Sequence, residues 1–389
     1  MRSPTYDTLR YVRGWIRGRH LAEKDDPPAT AGGPPGPSVP GVHTEDFAIA
    51  DGTSTLRARR YIRESRKSSG PGPGWVLLHG VTHPGPDHPA IVRFAAALAW
   101  SGAVVLVPDI PSWRRLDLDP RPARSALVRA ATCLSSDPDV RPGGVVLVGL
   151  SFGFPQVLRV GGQLARKGLV RGLGGFGSYC RLDDTLRFGL TGQFRWRGRT
   201  GYLRPDPYGR WVVAANYLHS VPGYVGAECV SRALHSLAAL AGERRILSWD
   251  PRYDVVKDEL AEALPETYRH LFRLFAPPAD REPEPGPARE MTHLLAEAAR
   301  RIHPELEPPP EFGDAPPPPV RLLHGRRDHL IPFTETLALD RLLRKRADVR
   351  ATVTGLFAHS RESGVIGSRV RESVRFFKGM KEVIALGAG

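Results

Sequence analysis

A serine between two glycines stands where an apolar segment meets an amphipathic one. The run from Val145 to Leu150 is apolar and rich in β-branched residues, Gly-x-Ser-x-Gly spans Gly149, Ser151 and Gly153, and helical periodicity begins at Phe154. A strand, a sharp turn and a helix in this order lift a serine hydroxyl out of a sheet, where it can act as a nucleophile. An ordinary strand-to-helix turn with a serine N-cap is the alternative, because glycine supplies 41 of the 389 residues.

A carboxylate and a histidine that could activate this serine follow it along the chain. Asp328 comes after an apolar segment beginning at Val320, in the pattern Gly-x-x-Asp-x-x-Ile-Pro. His359 follows a β-branched segment ending near Thr354. Singly, Asp328 could be a helix N-cap and His359 a surface histidine. Together, and at the ends of strand-like segments, they favour a triad in which His359 takes the proton of Ser151 and Asp328 orients the imidazole.

The backbone around the serine predicts where an oxyanion would be held. Ser151 would lie at a helix N-terminus, where the helix dipole and free amides favour negative charge, so the N–H of Phe152 is a candidate oxyanion donor.

These segments, in the order nucleophile, acid and histidine, resemble the α/β-hydrolase superfamily. The buried strand from Trp75 to Leu78 runs into His79 and Gly80, which resemble the oxyanion loop of that superfamily. The resemblance implies that Val81 supplies the second oxyanion N–H and that Gly149 and Gly153 support the elbow. It covers roughly residues 42–181 and 318–389.

The fold expected from the resemblance is α/β, a mostly parallel central sheet with flanking helices and an α-helical cap inserted after the sixth strand. The expected domains are an N-terminal basic helix and Pro/Gly-rich linker, the first half of the core, the cap and the second half of the core: 1–41, 42–181, 182–285 and 286–389. Alternating strands and helices in the first half independently indicate a parallel sheet.

The cap is expected to be helical, with periodic segments at Pro207–Ser220, Gly226–Ala241 and Tyr253–Phe275. A helix that carries Met291 and Ile302 is assigned to the core. Four cap aromatics could line a pocket, although cap core is the better interpretation for each: Trp196, Trp211, Tyr217 and Trp249.

The activity expected is that of a serine hydrolase cleaving a carboxylic ester or related acyl bond, on a small molecule with an apolar moiety. Serine at position 151 disfavours superfamily branches with aspartate or cysteine there. An acyltransferase on the same triad is one alternative, and a non-catalytic membrane-peripheral protein that retains the fold is another.

The sequence suggests no cofactor or metal. Three polar residues after the oxyanion loop are interpreted as ordinary loop residues without a metal: His83, Asp87 and His88. His324 and His329, on either side of Asp328, are expected to serve packing or the site rim.

Composition and charge indicate which partners and which cellular location to expect. The net charge is +14 and the sequence pI about 10.1, but arginines are scattered and no nucleic-acid recognition motif accompanies them, so no nucleic-acid partner is expected. Three cysteines lie far apart, no run approaches the ~20 apolar residues of a membrane span, and no signal peptide is evident, so a cytoplasmic location is expected. Residues 1–24 could form a basic amphipathic helix on a membrane surface, although packing on the body or a loose helix is favoured.

Overall fold

The computed structural model describes most of the chain, and the account below concerns these residues: 4–22, 39–51, 54–64, 70–244, 247–309, 317–356 and 369–388.

A single eight-stranded sheet forms the centre of the molecule, in the order β1-β2-β4-β3-β5-β6-β9-β10. Its strands are β1 (Val42–Asp51), β2 (Ser54–Arg63), β3 (Gly74–Leu78), β4 (Val104–Pro108), β5 (Val145–Leu150), β6 (Val170–Phe176), β9 (Val320–Gly325) and β10 (Val349–Thr354). The pairs β1–β2 and β2–β4 are antiparallel, and every other neighbouring pair is parallel. The expected mostly parallel sheet is therefore confirmed, and the carboxyl ends of its parallel strands share one edge.

Helices cover both faces of the sheet because side chains alternate along each buried strand. Val146 and Val148 of β5 join the apolar cluster on one face, while Val145 and Leu147 join the cluster on the other. The first face carries α1 (Pro4–Ala22), α2 (Pro89–Ser101) and α13 (Arg369–Ala385). The second carries α4 (Arg121–Ser135), α5 (Phe154–Arg166) and α12 (Thr334–Leu343), and a short helix, α3 (Pro111–Arg114), precedes α4.

The N-terminal helix α1 packs on α2. Tyr11 is 1% exposed, and the Arg10 guanidinium donates to the Trp100 carbonyl at 2.9 Å. Gly14 allows this close approach, since a Cβ there would lie 3.0 Å from the Cβ of Trp100. The helix thus packs on the protein body through Tyr11, as the favoured interpretation of the sequence had it, while Tyr6 and Leu9 remain exposed.

The cap lies between β6 and β9 and has its own apolar cluster. Its elements are α6 (Leu182–Thr191), β7 (Gln193–Trp196), β8 (Arg199–Tyr202), α7 (Pro207–Tyr217), α8 (Glu228–Arg244), α9 (Asp254–Glu262) and α10 (Glu266–Phe275).

The cap differs from the expectation in three respects. It contains a two-stranded hairpin of β7 and β8, and the single helix expected over Tyr253–Phe275 is divided before Pro265 into α9 and α10. The helix assigned to the core, α11 (Pro285–Ile302), buries Met291 and Leu295 in the cap cluster instead. Among the described residues, no helix is long and apolar enough to cross a membrane.

Candidate active site

The turn after β5 holds Ser151 in a left-handed backbone conformation. Its φ is +52°, in a region that residues other than glycine seldom adopt. A Cβ on Gly149 would lie 2.5 Å from the Cα of Phe154, too close for any side chain. The strain at Ser151 and the missing space at Gly149 describe the sharp strand-to-helix turn that the sequence predicts.

The loop after β3 lies directly against this turn. A Cβ on Gly153 would meet the carbonyl oxygens of Leu78 and His79 at 3.1 and 3.2 Å. A Cβ on Gly80 would lie 3.4 Å from the Cβ of Ser151 and 4.0 Å from its Oγ. The His79–Gly80 segment therefore passes beside the serine, and its glycine leaves the space around the hydroxyl open.

Buried His79 fixes the path of this loop. Its Nδ1 lies 2.7 Å from the Gly80 carbonyl, and its Nε2 lies 3.4 Å from the backbone N of Ile110. A carbonyl only accepts and an N–H only donates, so Nδ1 carries the proton and Nε2 accepts. Burial lowers the pKa of His79 to about 4, and the ring is neutral near pH 7.

An aromatic row holds Phe152, the residue whose N–H is the predicted oxyanion donor. Its ring meets Trp113 edge to face at 5.2 Å and stacks on Tyr179 at 6.2 Å, and Trp113 in turn contacts His79 at 5.9 Å. The row connects the loop after β3, through His79, to the turn after β5, through Phe152.

Asp328 is buried at the end of β9 and has defined partners. Its Oδ1 accepts the amides of Leu330 and Ile331 at 2.9 and 3.0 Å, and its side chain is 0% exposed. A carboxylate with two backbone amides on one oxygen is held in a single orientation.

His324 contacts the Asp328 carboxylate. Its Nε2 lies 3.3 Å from Asp328 Oδ2 and 2.9 Å from the Ile331 carbonyl, so this nitrogen carries a proton. Its Nδ1 lies 2.6 Å from Thr336 Oγ1. The sequence suggested packing or the site rim for His324, and the structure buries it, with three polar contacts that the sequence did not reveal.

Thr336 extends this chain of contacts toward the serine. Its hydroxyl lies 3.4 Å from the Ser178 carbonyl, and the Ser178 hydroxyl donates to the Ser151 carbonyl at 3.1 Å. Polar contacts between buried side chains thus run from the acid to the main chain of the predicted nucleophile.

His359 lies outside the described residues, so its position relative to Ser151 stays a prediction. The strand before it, β10, pairs in parallel with β9 and ends at Thr354 opposite Gly325.

The cap contacts both site loops through residues that precede or begin α7. The Asp206 amide donates to the His329 carbonyl at 2.6 Å. The Tyr208 hydroxyl donates to the Val81 carbonyl at 3.4 Å, on the residue predicted to supply an oxyanion N–H. Sequence reasoning missed Tyr208, and only the Asp-Pro start of its helix could have drawn attention to it.

A buried carboxyl, Glu335, anchors the chain where it leaves β6 for the cap. Its Oε2 accepts the amides of Cys180 and Arg181 at 3.0 and 2.7 Å. Burial raises the pKa of Glu335 to about 7, against the two amide bonds that lower it. The sequence held no signal for this role, because position 335 looks like an ordinary first-turn helix glutamate.

The four cap aromatics take different places. Trp211 and Tyr217 are buried in the cap cluster, Trp196 lies exposed on the hairpin, and Trp249 packs edge-on against His329 at 5.0 Å. Cap core is thus the correct interpretation for Trp211 and Tyr217.

The polar residues after the oxyanion loop have structural partners. Asp87 pairs with Arg59, and the His88 ring accepts the Ala90 amide at 3.2 Å as an N-cap of α2. Within the described part of the chain, no group of three or more His, Cys, Asp or Glu residues could hold a metal ion.

Comparison with known proteins identifies the fold. No protein-family profile matches the sequence, and no curated protein matches it. Among solved structures, a candidate hydrolase from Legionella pneumophila (lpg1103) is similar with a TM-score of 0.51 at 12% identity, over 88% of each chain. The strand order and this likeness agree. The chain has the α/β-hydrolase fold.

Other structures of this fold are more distant. Brefeldin A esterase, a bacterial homologue of human hormone-sensitive lipase, gives a TM-score of 0.45 at 14% identity, over 98% of this chain and 85% of the esterase. An acylaminoacyl peptidase of Pyrococcus horikoshii gives 0.43 at 11% identity, and this chain spans only 41% of that longer protein. The α/β-hydrolase fold supports many chemistries, so function must be argued from the site.

Proposed function

We propose that this α/β-hydrolase-fold protein is a serine hydrolase that cleaves a carboxylic ester or related acyl bond through an acyl-enzyme on Ser151. His359 removes the serine proton as Oγ attacks the carbonyl carbon, and then donates it to the leaving group. Asp328 holds the imidazole and stabilises its charged form. The N–H groups of Val81 and Phe152 bind the oxyanion, and water then releases the acyl group.

The observation that carries this proposal is the positive φ of Ser151, +52°, in a turn where Gly149 has no room for a side chain and Gly153 has little. Strain of this kind persists only where the surroundings impose it, and here it turns the hydroxyl away from the sheet. A serine that merely capped a helix would need no such conformation.

The order of the strands allows the triad to meet. In the sheet β10 lies three positions from β5, about 14 Å at ~4.8 Å per strand. His359 is five residues beyond Thr354, which span up to about 17 Å when extended. The base is thus within reach of Ser151, and Asp328 follows β9, one of the two strands between β5 and β10.

The surfaces facing this site favour a substrate with an apolar moiety. Val81 and Phe152 are half-buried and pack against both the cap cluster and the sheet cluster, and Leu330 and Tyr208 pack against the cap cluster beside them. An acyl or alcohol chain placed between cap and sheet would meet these side chains, and such closure excludes water from the acyl-enzyme.

Labelling with a fluorophosphonate probe tests the nucleophile. The wild type is expected to label, and Ser151→Ala and His359→Ala to lose labelling. Ser125→Ala, at an exposed serine on α4, serves as the matched control and should label fully. Labelling that survives in Ser151→Ala would overturn the assignment.

Hydrolysis of p-nitrophenyl esters of graded chain length then measures the acyl pocket. Adding alcohols or amines to the same assay distinguishes a hydrolase from an acyltransferase. A hydrolase forms mainly the free acid, whereas an acyltransferase transfers the acyl group to the acceptor.

A further inference from the structure

The cap hairpin of β7 and β8 projects outside the proposed catalytic site. The strands pair with each other in a separate two-stranded sheet, with Trp196 opposite Arg199 and Gln193 opposite Tyr202. The turn between them holds Arg197 at a φ of +51°. A two-stranded hairpin with so little of its surface buried contributes little to the stability of the protein. Stability therefore does not explain which residues the hairpin contains.

The hairpin is strongly basic. Arg195, Arg197 and Arg199 are all exposed, and no Asp or Glu occurs from Leu190 to Pro205. Within the described residues, no carboxylate lies in ion-pair distance of these three guanidinium groups. Three uncompensated positive charges on one short hairpin form a surface suited to an anionic partner.

Two amphipathic aromatics accompany these charges. Trp196 is 40% and Tyr202 60% exposed. Strand alternation places Tyr202 and Arg195 on the outward face, while Phe194 and Trp196 on the other face contact Phe333 at 5.7 and 5.6 Å. Since Phe333 follows the acid loop directly, the hairpin stands beside the carboxyl edge of the sheet, where Ser151 lies.

We infer that this hairpin docks the protein on an anionic lipid surface. Arginines attract acidic headgroups, and the outward-facing Tyr202 side chain is placed to bury its ring at the headgroup level while its hydroxyl stays hydrated. The position of the hairpin would bring the space between cap and sheet close to that surface.

The observations favour a lipid surface over single-stranded nucleic acid. Nucleic-acid binding of this type needs aromatic faces on which bases can stack. The Arg197 guanidinium lies 4.9 Å from the centroid of the Trp196 ring, and the Phe333 ring contacts the same indole. With Trp196 covered in this way, only Tyr202 offers an open ring.

Co-sedimentation of the full chain with phosphatidylcholine vesicles, with and without phosphatidylserine, tests the inference. The hairpin variant combines Arg195→Gln, Arg197→Asn and Arg199→Gln, with asparagine chosen because it tolerates a positive φ. The control combines Arg232→Gln, Arg281→Gln and Arg289→Gln, three exposed cap arginines whose loss changes the net charge equally.

Binding to phosphatidylserine vesicles is expected to weaken by about fivefold per arginine, or about a hundredfold in the hairpin variant. The control variant should change it much less, and added salt should weaken wild-type binding. Tyr202→Ser should weaken binding further without a change in charge.

Three results would overturn the inference: no wild-type binding to acidic vesicles, equal losses in both triple variants, or preferential binding of a single-stranded oligonucleotide through the same arginines. The far-UV circular dichroism spectrum and the urea unfolding midpoint of the hairpin variant should match those of the wild type. They report an intact fold without relying on the proposed hydrolase activity, so failure of this inference and failure of the proposed function are distinguishable.

Discussion

The carboxyl edge of the sheet and the cap above it use different means to fix their polar groups. At the edge the main chain fixes the polar groups. Ser151 has a positive φ, and there is no room for a side chain at Gly149. In the cap, long buried side chains reach carbonyls, as when Arg210 Nε donates to the Phe275 carbonyl at 2.7 Å and Lys257 Nζ to the Pro277 carbonyl at 2.9 Å. The edge therefore depends on the space for single backbone atoms, whereas the cap depends on the reach of long side chains.

The largest effect is expected from Gly149→Ala, which tests this atomic dependence. The added Cβ would lie 2.5 Å from the backbone of Phe154, so the turn must open and move Ser151. We expect fluorophosphonate labelling to fall by more than about a hundredfold, since small displacements of a catalytic group carry losses of that order.

The matched change in the cap is Gly189→Ala. A Cβ at Gly189 of α6 would meet nothing within 4 Å. Alanine there should leave labelling intact and stabilise the protein by about 0.5 to 1 kcal/mol in urea unfolding. Equal losses of labelling in both variants would contradict the contrast between edge and cap.

The next largest effect is expected from Asp328→Asn. The amide oxygen can still accept the Leu330 and Ile331 amides, so the loop should hold its shape. The NH₂ group cannot accept a hydrogen bond from the imidazole N–H of the base, and ester turnover should fall by about 10²- to 10⁴-fold.

Asp348→Asn is the control for this substitution. Asp348 pairs with Arg321 at 2.7 Å, near the opposite end of β9 and β10. Its loss should leave the turnover number within about twofold of wild type, because this ion pair lies at the end of the strands away from Ser151. A comparable fall in both variants would mean that the carboxylate at 328 has no special role.

Glu335 binds the chain where it leaves the sheet edge for the cap. Its titration should change the free energy of unfolding with pH. Its pKa is raised from about 4.5 to about 7 by burial. Between these values the folded protein keeps the proton that the unfolded chain has lost, so this group makes stability fall as pH rises through the window. The difference amounts to about 3 kcal/mol.

Glu335→Gln removes this titration. From about pH 5 to about pH 8 the variant should become more stable relative to the wild type, with its free energy of unfolding rising by up to about 3 kcal/mol in the comparison. Urea unfolding of both proteins at the two pH values measures it, and other titrating groups cancel in the comparison. A pH-independent difference would show that Glu335 is already ionised at pH 5.

The smallest effect is expected from Tyr208→Phe, which removes one hydrogen bond from cap to oxyanion loop. A neutral bond is worth about 0.5 to 1.5 kcal/mol, so kcat should fall about two- to tenfold. If the bond positions the Val81 N–H for the transition state, KM should change little.

Tyr217→Phe provides the comparison for that variant. Its hydroxyl lies 2.9 Å from His303 Nδ1 in the cap, in contact with neither site loop. It should lower stability and leave kcat unchanged. A fall in KM and kcat alike for both tyrosines would point to general loosening of the cap.

The sequence predicted the edge far better than the cap. Strand alternation and the spacing around Ser151 and Asp328 follow from local rules, because a strained turn and a buried loop carboxylate require particular residues within a few positions. The mostly parallel sheet is confirmed, and Ser151 has the strained backbone that the sequence predicts. The role of His359 stays a prediction.

What the sequence could not predict depends on packing between distant segments. Tyr208 approaches Val81 across 127 positions, and Glu335 reaches Cys180 across 155. The hairpin was missed because its arginines and Gly198 and Gly201 hide the alternation of a strand. Helix α11 shows the same limit, since its apolar stripe predicts burial but not the partner that buries it.

The place of β6 in the sheet has a consequence for how the protein is made. Its neighbour β9 is synthesised only after the whole cap, so on the ribosome β6 is for a time the last strand of an open sheet. Exposed strand edges invite pairing with other chains. The glycines at 172, 174 and 175 weaken β6 as a template for such pairing. The exposed edge of β6 is therefore poorly suited to aggregation before β9 is synthesised.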